Sequence, residues 1–192
     1  MMKISTKVLI RPTSRNGTFG KINIMTTRYR YTLILFITFC LSSFYSFGTA
    51  MMDYFLLYPS RFFVGENEFI QYHQSLEAAI WPISVIPFLL LIVMNMLLIW
   101  FSPKEVPRTL TWISLTCLIL DFLSTVILQA PWNYELSGGK NIELMQKITD
   151  TNWLRVFLET SQVVIVFLML RHFVFALKKN SINPPRTGYP AT

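Results

Sequence analysis

Cysteine and histidine are scarce in this sequence, which contains two of each among 192 residues. Cys40 and Cys117 lie in apolar runs without a CxxC motif, so we predict neither a disulfide framework nor a thiol redox site. His73 and His172 fall on opposite sides of the membrane in the topology predicted below, which argues against a multi-histidine metal or haem site. The sequence also lacks a phosphate loop, a nucleophile elbow and a dinucleotide fingerprint. We therefore predict no cofactor and no metal site.

Charged residues are also few: they make up 14% of the sequence, whereas 53% is hydrophobic. Four apolar stretches reach the length of about 20 helical residues that a bilayer core of about 30 Å requires. They lie at about 32–52, 78–101, 110–130 and 154–175. The sequence therefore predicts an all-α fold, a four-helix transmembrane bundle over residues 32–177, with a basic disordered leader at 1–31 and a tail at 178–192. Translation from Met25 instead of Met1 would shorten that leader.

Acidic residues are absent from the first 31 residues, which are rich in Lys and Arg. The second link and the tail are basic as well, whereas the first and third links are acidic or mixed. By the positive-inside rule both termini are cytoplasmic. In a bacterium the membrane would be the cytoplasmic (inner) membrane. The net charge of +7 then indicates contact with the lipid bilayer and its anionic headgroups, and we predict no nucleic-acid partner.

The outer half of the second helix contains Pro82 and Pro87. Pro87 lacks a backbone donor, so we predict a kink there and a free carbonyl at Ile83 that needs another partner. The preceding link, residues 59–72, mixes apolar and charged side chains, and we expect it to cover the outer mouth of the bundle.

A polar stripe opens the fourth helix. Asn152, Arg155, Glu159 and Gln162 fall on one face at 3.6 residues per turn. At a rise of 1.5 Å per residue, Glu159 lies about 10 Å from the outer end of the helix, and Gln162 and Asp121 about 14 Å. Ionisable groups at such depth face the protein interior or a wet cavity. We expect polar groups from all four helices to share the outer half of the membrane, above an inner half that is apolar apart from Asn95.

Two interpretations of these ionisable groups stay open. Asp121 is either a general acid, base or ligand anchor, or a protonated carboxyl that hydrogen-bonds to a facing Ser or Gln. Arg155 and Glu159 either belong to a site or form an i to i+4 ion pair that satisfies itself. His73, before the second helix, is either a titratable group beside Glu77 or an ordinary hydrogen-bonded interfacial residue.

The first alternative is that these polar residues form a site, an outward-facing polar pocket for a small, largely apolar or aromatic ligand. If the protein is an enzyme, His73 is the expected base, Arg155 and Asn152 stabilise negative charge on an oxygen, and Asp121 lies at the floor. The expected pocket residues are Glu77, Trp81, Gln129, Asn133, Trp153, Glu159 and Gln162. The alternative is a non-catalytic accessory subunit of a larger membrane complex, or a homo-oligomer, in which these groups only hold helices together.

Three segments carry a resemblance to a known family: FFVGENEFIQYHQSLEAAI, QAPWNYELSGG and ITDTNWLRVFLET. They resemble the small four-helix membrane proteins grouped with fungal anthrone oxygenases, whose bacterial members mostly have no assigned activity. The shared features are a histidine before the second helix, Pro-x-Asn after the third and Asn-Trp-x-Arg at the start of the fourth. They correspond here to His73, Pro131, Asn133, Asn152, Trp153 and Arg155. Over residues 33–171 the resemblance implies a four-helix fold and, in some relatives, cofactor-independent oxidation of a polycyclic aromatic substrate.

Overall fold

Four long helices make up the part of the chain that the structure, a computed structural model, describes: the backbone of residues 16–182 and the side chains of residues 27–179. Helix α1 spans 16–61, α2 Glu66–Phe101, α3 Arg108–Leu136 and α4 Ile142–Ile182. No strand occurs within these residues. The prediction of an all-α fold with four helices long and apolar enough to cross a membrane is confirmed.

The helices form a ring in which each contacts two neighbours. Helices α1 and α3 both pack against α2 and α4. We call the end with the short links 62–65 and 137–141 the cap end, and the end with the link 102–107 the turn end. This up-and-down arrangement is the usual one for four helices joined by short links.

All four helices are longer than the sequence predicts. At the cap end α1 continues beyond residue 52 and α3 beyond 130, while α2 and α4 begin before 78 and 154. These extensions are amphipathic rather than uniformly apolar, so hydropathy alone misses them, and they are stabilised by packing on each other. At the turn end α1 begins at Asn16, inside the predicted disordered leader, and α4 ends at Ile182, inside the predicted tail. The rest of both segments, 1–15 and 183–192, lies outside the described residues.

Helices α1, α2 and α3 each contain one π-helical turn, and a proline follows two residues after each turn. The turns are Asp53–Leu57, Trp81–Val85 and Thr125–Gln129, and the prolines are Pro59, Pro87 and Pro131. A proline lacks an N–H group and its ring clashes with the carbonyl four residues earlier. The wider turn, closed by hydrogen bonds over five residues, lets the helix continue. The prediction that the third helix stops at Pro131 is therefore wrong.

The π turns also keep one face of each helix directed inward. In α1 the buried positions Ser46, Ala50 and Asp53 are three or four residues apart, and the next, Tyr58, follows after five. Helix α3 shows the same step of five between Ser124 and Gln129. Each step of five spans a π turn, because the extra residue resets the helical phase. Polar residues on both sides of each proline thus face the same interior.

Two apolar clusters enclose a polar layer along the bundle axis. Toward the turn end lies the larger cluster, built around Phe39, Leu91, Leu118 and Met169. At the cap end lies a second cluster, the cap cluster: Tyr58, Phe69, Leu136, Leu144, Met145 and Ile148. Phe62 and Val64 of the first link pack onto the cap cluster, and Lys140 donates to the Phe62 carbonyl at 3.1 Å. The expectation that the first link covers this end of the bundle is confirmed for these residues.

The carbonyl that Pro87 leaves free has a partner on α1. The Tyr45 hydroxyl donates to the Ile83 carbonyl at 2.8 Å and is the other partner that this carbonyl was predicted to need. We expect Tyr45→Phe to lower the free energy of unfolding in detergent by about 1 kcal/mol. In a Pro87→Ala background the loss should shrink, because the substituted alanine supplies the missing N–H to the same carbonyl. Equal losses in both backgrounds would show that this hydrogen bond does not serve the proline.

Candidate functional site

The polar stripe of α4 lies in the centre of the bundle, as predicted. Asn152, Glu159 and Gln162 are almost fully buried, and the Arg155 side chain is 12% exposed. All four side chains lie between the two apolar clusters, so this layer has little access to water. Buried polar groups must find hydrogen-bond partners inside the protein, and the neighbouring helices supply most of them.

The partner of Arg155 is Asp53, which the sequence reasoning did not select. An Arg155 guanidinium nitrogen lies 3.0 Å from an Asp53 carboxylate oxygen across the interface between α4 and α1. Glu159 instead accepts a hydrogen bond from the Ser46 hydroxyl at 2.6 Å. The proposed ion pair between Arg155 and Glu159 is therefore not formed. The reason is the extension of α1 beyond residue 52, which brings Asp53 opposite Arg155.

Two more carboxyl groups surround the same guanidinium. Asp121 on α3 lies beside Glu159, and both interact electrostatically with Arg155. Within the described residues neither Asp121 oxygen has a hydrogen-bond donor, and one Glu159 oxygen also lacks one. Asp121 thus stands at the centre of the layer, as expected from its depth. Its predicted partner, a Ser or Gln, is replaced by a second carboxyl group.

Toward the cap end the layer continues through amides. Gln129 donates to the Asn152 side-chain oxygen at 2.8 Å and accepts from the Tyr58 hydroxyl at 3.3 Å. Arg61, also buried, donates to the Asn133 side-chain oxygen at 3.0 Å. The predicted pocket residues Gln129 and Asn133 therefore join the α4 stripe, through contacts that hold the helices together.

His73 is fully buried instead of lying at a solvated rim. Its Nε2 lies 3.0 Å from the Asn133 backbone carbonyl and 3.3 Å from a Glu77 carboxylate oxygen. Both neighbours are acceptors, so Nε2 is the ring nitrogen that donates. Within the described residues Nδ1 has no hydrogen-bond partner, and the Phe69 ring stacks on the imidazole with centroids 5.8 Å apart. Glu77 remains 43% exposed.

Toward the turn end, Gln162 donates to the Ser114 hydroxyl at 2.8 Å, and Ser114 also hydrogen-bonds to Asn95. Asn95 and Ser114 lie among residues of the larger apolar cluster, and Thr111, one turn farther toward the turn end, is buried as well. Contrary to the prediction, buried polar residues in this half of the bundle are therefore not limited to Asn95.

Two predicted pocket residues do not join this layer. Trp81 is 59% exposed and Trp153 57% exposed, on the outer surface of the bundle. Consecutive helical residues point about 100° apart, so Trp153 faces outward because Asn152 faces inward. Neither ring therefore contributes to the buried polar layer.

The structure contains a cleft on the side of the bundle, between α1 and α2, with a volume of about 180 Å³. Its lining is almost entirely apolar, and Met52, Leu56 and Ile83 at its mouth are exposed on the apolar outer surface. Asp53 and Ser84 supply buried polar groups of its wall. The residues predicted for the pocket do not line this cleft, which connects to the polar layer through the Asp53–Arg155 ion pair.

The missed residues could have been found by extending one helical stripe. Ser43, Ser46 and Ala50 recur every three or four residues in the first apolar run, and Asp53 is the next position. The predicted helix ends at residue 52, so Asp53 falls in the predicted link. Tyr58 and Arg61 carry no comparable signal, since the π turn between Asp53 and Leu57 shifts their phase.

Comparison of the chain with protein-family models, curated proteins and solved structures found no match. The likeness to the anthrone-oxygenase group therefore remains a prediction from short motifs. Within the described residues no group of three or more His, Cys, Asp or Glu side chains is arranged to hold a metal ion.

Proposed function

We propose that the chain is a multi-pass protein of a bacterial cytoplasmic membrane that binds a small, largely apolar ligand in the cleft between α1 and α2. The basic leader, second link and tail support an orientation with both termini cytoplasmic and the cap end outward. In that orientation the apolar surface around the mouth of the cleft faces lipid, and the ligand enters sideways from the bilayer.

The observation that carries this proposal is an apolar cleft that reaches a buried ion pair. Its volume of about 180 Å³ exceeds slightly the roughly 150 Å³ of an apolar cavity that holds benzene. One aromatic ring, or an aliphatic segment of similar size, therefore fits. Ligand sites are typically apolar with a few placed polar groups, which here are Asp53 and Ser84. A longer ligand would extend through the mouth into the lipid.

A bulky side chain placed in the cleft should weaken ligand binding. Ala79 lines the cleft on α2. Its neighbour Ala78 is also exposed but does not line the cleft. We expect Ala79→Phe to weaken binding of radiolabelled 2-phenylethanol at least about tenfold, or about 1.4 kcal/mol. The matched variant Ala78→Phe should bind like the parent protein. Binding is measured to protein in lipid nanodiscs, after subtraction of binding to empty nanodiscs.

Equal binding by Ala79→Phe and Ala78→Phe would remove the cleft as the site. Both substitutions are at exposed helical positions, so we expect thermal unfolding to be unaltered in both variants. A loss of ligand binding in Ala79→Phe alone is then due to the filled cleft.

An oxygenase-like reaction, implied by the resemblance, is a separate and further proposal. It would use Arg155 and Asn152 to stabilise negative charge on an oxygen, and His73 would accept a proton at Nδ1, the nitrogen without a protein donor. The buried positions of these groups require that Phe69 or the cleft wall move to admit a substrate. Undiminished turnover of an anthrone by His73→Ala and Arg155→Ala variants would exclude these roles for the two residues, and absence of turnover by the parent protein would exclude the reaction.

The second candidate function is an accessory subunit of a larger membrane complex, or a homo-oligomer. It is favoured by the hydrogen bonds that the polar layer makes with itself, from Ser46 to Glu159 and from Gln129 to Asn152. Such contacts stitch membrane helices together without any ligand. Native mass spectrometry after gentle detergent extraction separates the candidates, since a reproducible protein partner supports the subunit and a co-purifying small molecule supports the ligand site.

A further inference from the structure

We infer that the cleft selects ligands by their polar end: it takes an apolar body that carries a hydrogen-bond donor, and it favours a cationic amine over a carboxylic acid. This inference rests on the proposed ligand-binding function and names the chemical class of the ligand. It follows from the groups that line the cleft and from the charges directly behind them.

The polar wall of the cleft presents one carboxylate and two hydroxyl groups. Of the described residues that line it, Asp53 alone has an ionisable side chain, and Thr49 and Ser84 are hydroxyls. The Thr49 hydroxyl already donates to the Ser46 backbone carbonyl at 2.8 Å. A ligand that ends in O–H or N–H can donate to the Asp53 carboxylate, whereas an acceptor alone finds no positive group on this wall.

Behind the wall, the two buried cations are already engaged by other groups of the protein. The guanidinium of Arg155 faces three carboxyl groups, those of Asp53, Asp121 and Glu159. The second buried guanidinium, Arg61, donates to Asn133 and also interacts electrostatically with Asp53. Neither guanidinium lines the cleft, so neither is presented to a ligand there.

A ligand cation in the cleft meets the Asp53 carboxylate directly, whereas a ligand anion there meets a like charge and no cation. Buried charge is tolerated where an opposite charge pairs with it. Arg155 cannot serve as the anchor for an acid, because it does not line the cleft and its guanidinium already binds Asp53 at 3.0 Å. The Asp53 carboxylate therefore favours a ligand whose polar end is a hydrogen-bond donor, and the apolar lining favours a ligand whose remaining part is apolar.

Three radiolabelled probes share a phenyl group and differ in their polar group: 2-phenylethylamine, 2-phenylethanol and phenylacetate. Binding is measured to the full chain in phosphatidylcholine nanodiscs, with empty nanodiscs subtracted. We expect the amine to bind about tenfold more tightly than the alcohol, which is about 1.4 kcal/mol, and the acid not to bind. This comparison needs no variant and so does not depend on the folding of a mutant.

Removing the charge of Asp53 should erase the preference. In Asp53→Asn the amine should bind no more tightly than the alcohol, while alcohol binding changes little. Glu143→Gln, which removes an exposed carboxylate of α4 outside the cleft, should keep the preference for the amine. Because Asp53→Asn leaves Arg155 without its partner, the double variant Asp53→Asn with Arg155→Met provides a second test, and it should show the same loss.

Acid binding as tight as amine binding, or an amine preference that survives in both Asp53 variants, would overturn the inference. In that case 2-phenylethanol binding that is lost in Ala79→Phe would still support the cleft as a ligand site. Failure of all three probes to bind the parent protein would overturn both proposals together.

Discussion

Replacing Arg155 by methionine should destabilise the folded protein by about 3–5 kcal/mol, the range seen when one partner of a buried ion pair is removed. The guanidinium bonds to Asp53 and faces Asp121 and Glu159, so its loss leaves three buried carboxyl groups without their common cation. The substitution keeps an unbranched side chain of similar length, so the packing change is small. Thermal or denaturant unfolding in detergent measures the loss.

The matched control is Arg171→Met on the same helix. Arg171 is exposed and lies over the Phe175 ring at 5.6 Å, so its removal should cost less than about 1 kcal/mol. Adding Asp53→Asn to Arg155→Met should recover part of the stability, because one unpaired charge is then removed. If Arg155→Met and Arg171→Met cost the same, the ion pair with Asp53 does not stabilise the bundle.

The number of helices and the inward stripe of α4 could be predicted because both are local properties of the sequence. A membrane-length apolar run predicts a helix by itself. Within that helix, the spacing of Asn152, Arg155 and Glu159 sets a common face without reference to any other part of the chain. The cost of burying polar groups in lipid then directs that face inward, where the structure places it.

The partner of each polar group could not be predicted in the same way. Asp53 and Arg155 are separated by 102 residues, and their contact depends on which helices are neighbours in the ring. It also depends on where α1 ends, since the sequence places Asp53 in a link. An i to i+4 pairing of Arg155 with Glu159 is the local alternative, and the tertiary contacts with Asp53 and Ser46 replace it.

The π turn of α3 explains why the cap end of this helix is predicted too short. Proline usually marks the end of a helix in a sequence, and the predicted third helix ends at residue 130, directly before Pro131. In a bundle the helix can continue past a proline if a wider turn removes the clash and a neighbour replaces the lost hydrogen bond. The hydroxyl of Tyr45 provides that replacement at Pro87. Sequence spacing alone does not reveal which of these outcomes a proline produces.

Truncating Phe69 to alanine should cost about 3–5 kcal/mol of stability, the usual range for a buried aromatic ring. Phe69 is fully buried in the cap cluster and stacks on His73, so its removal leaves a cavity directly above the polar layer. The same truncation at Phe63 should change stability by less than about 0.5 kcal/mol, because that ring is 90% exposed. Both residues lie at the cap end, which makes Phe63→Ala a matched control for the loss of a phenyl group.

Hydrogen exchange tests whether the cap cluster keeps water out of the polar layer. If the cluster seals the polar layer, Phe69→Ala should speed amide exchange in the cap-end turns of α2 and α3, where His73 contacts the Asn133 carbonyl, and Phe63→Ala should not. Equal exchange and equal stability in the two variants would mean that the cap cluster leaves the layer open to water. The layer would then be reachable from the cap end, and the cleft between α1 and α2 would lose its role as the route to the Asp53–Arg155 pair.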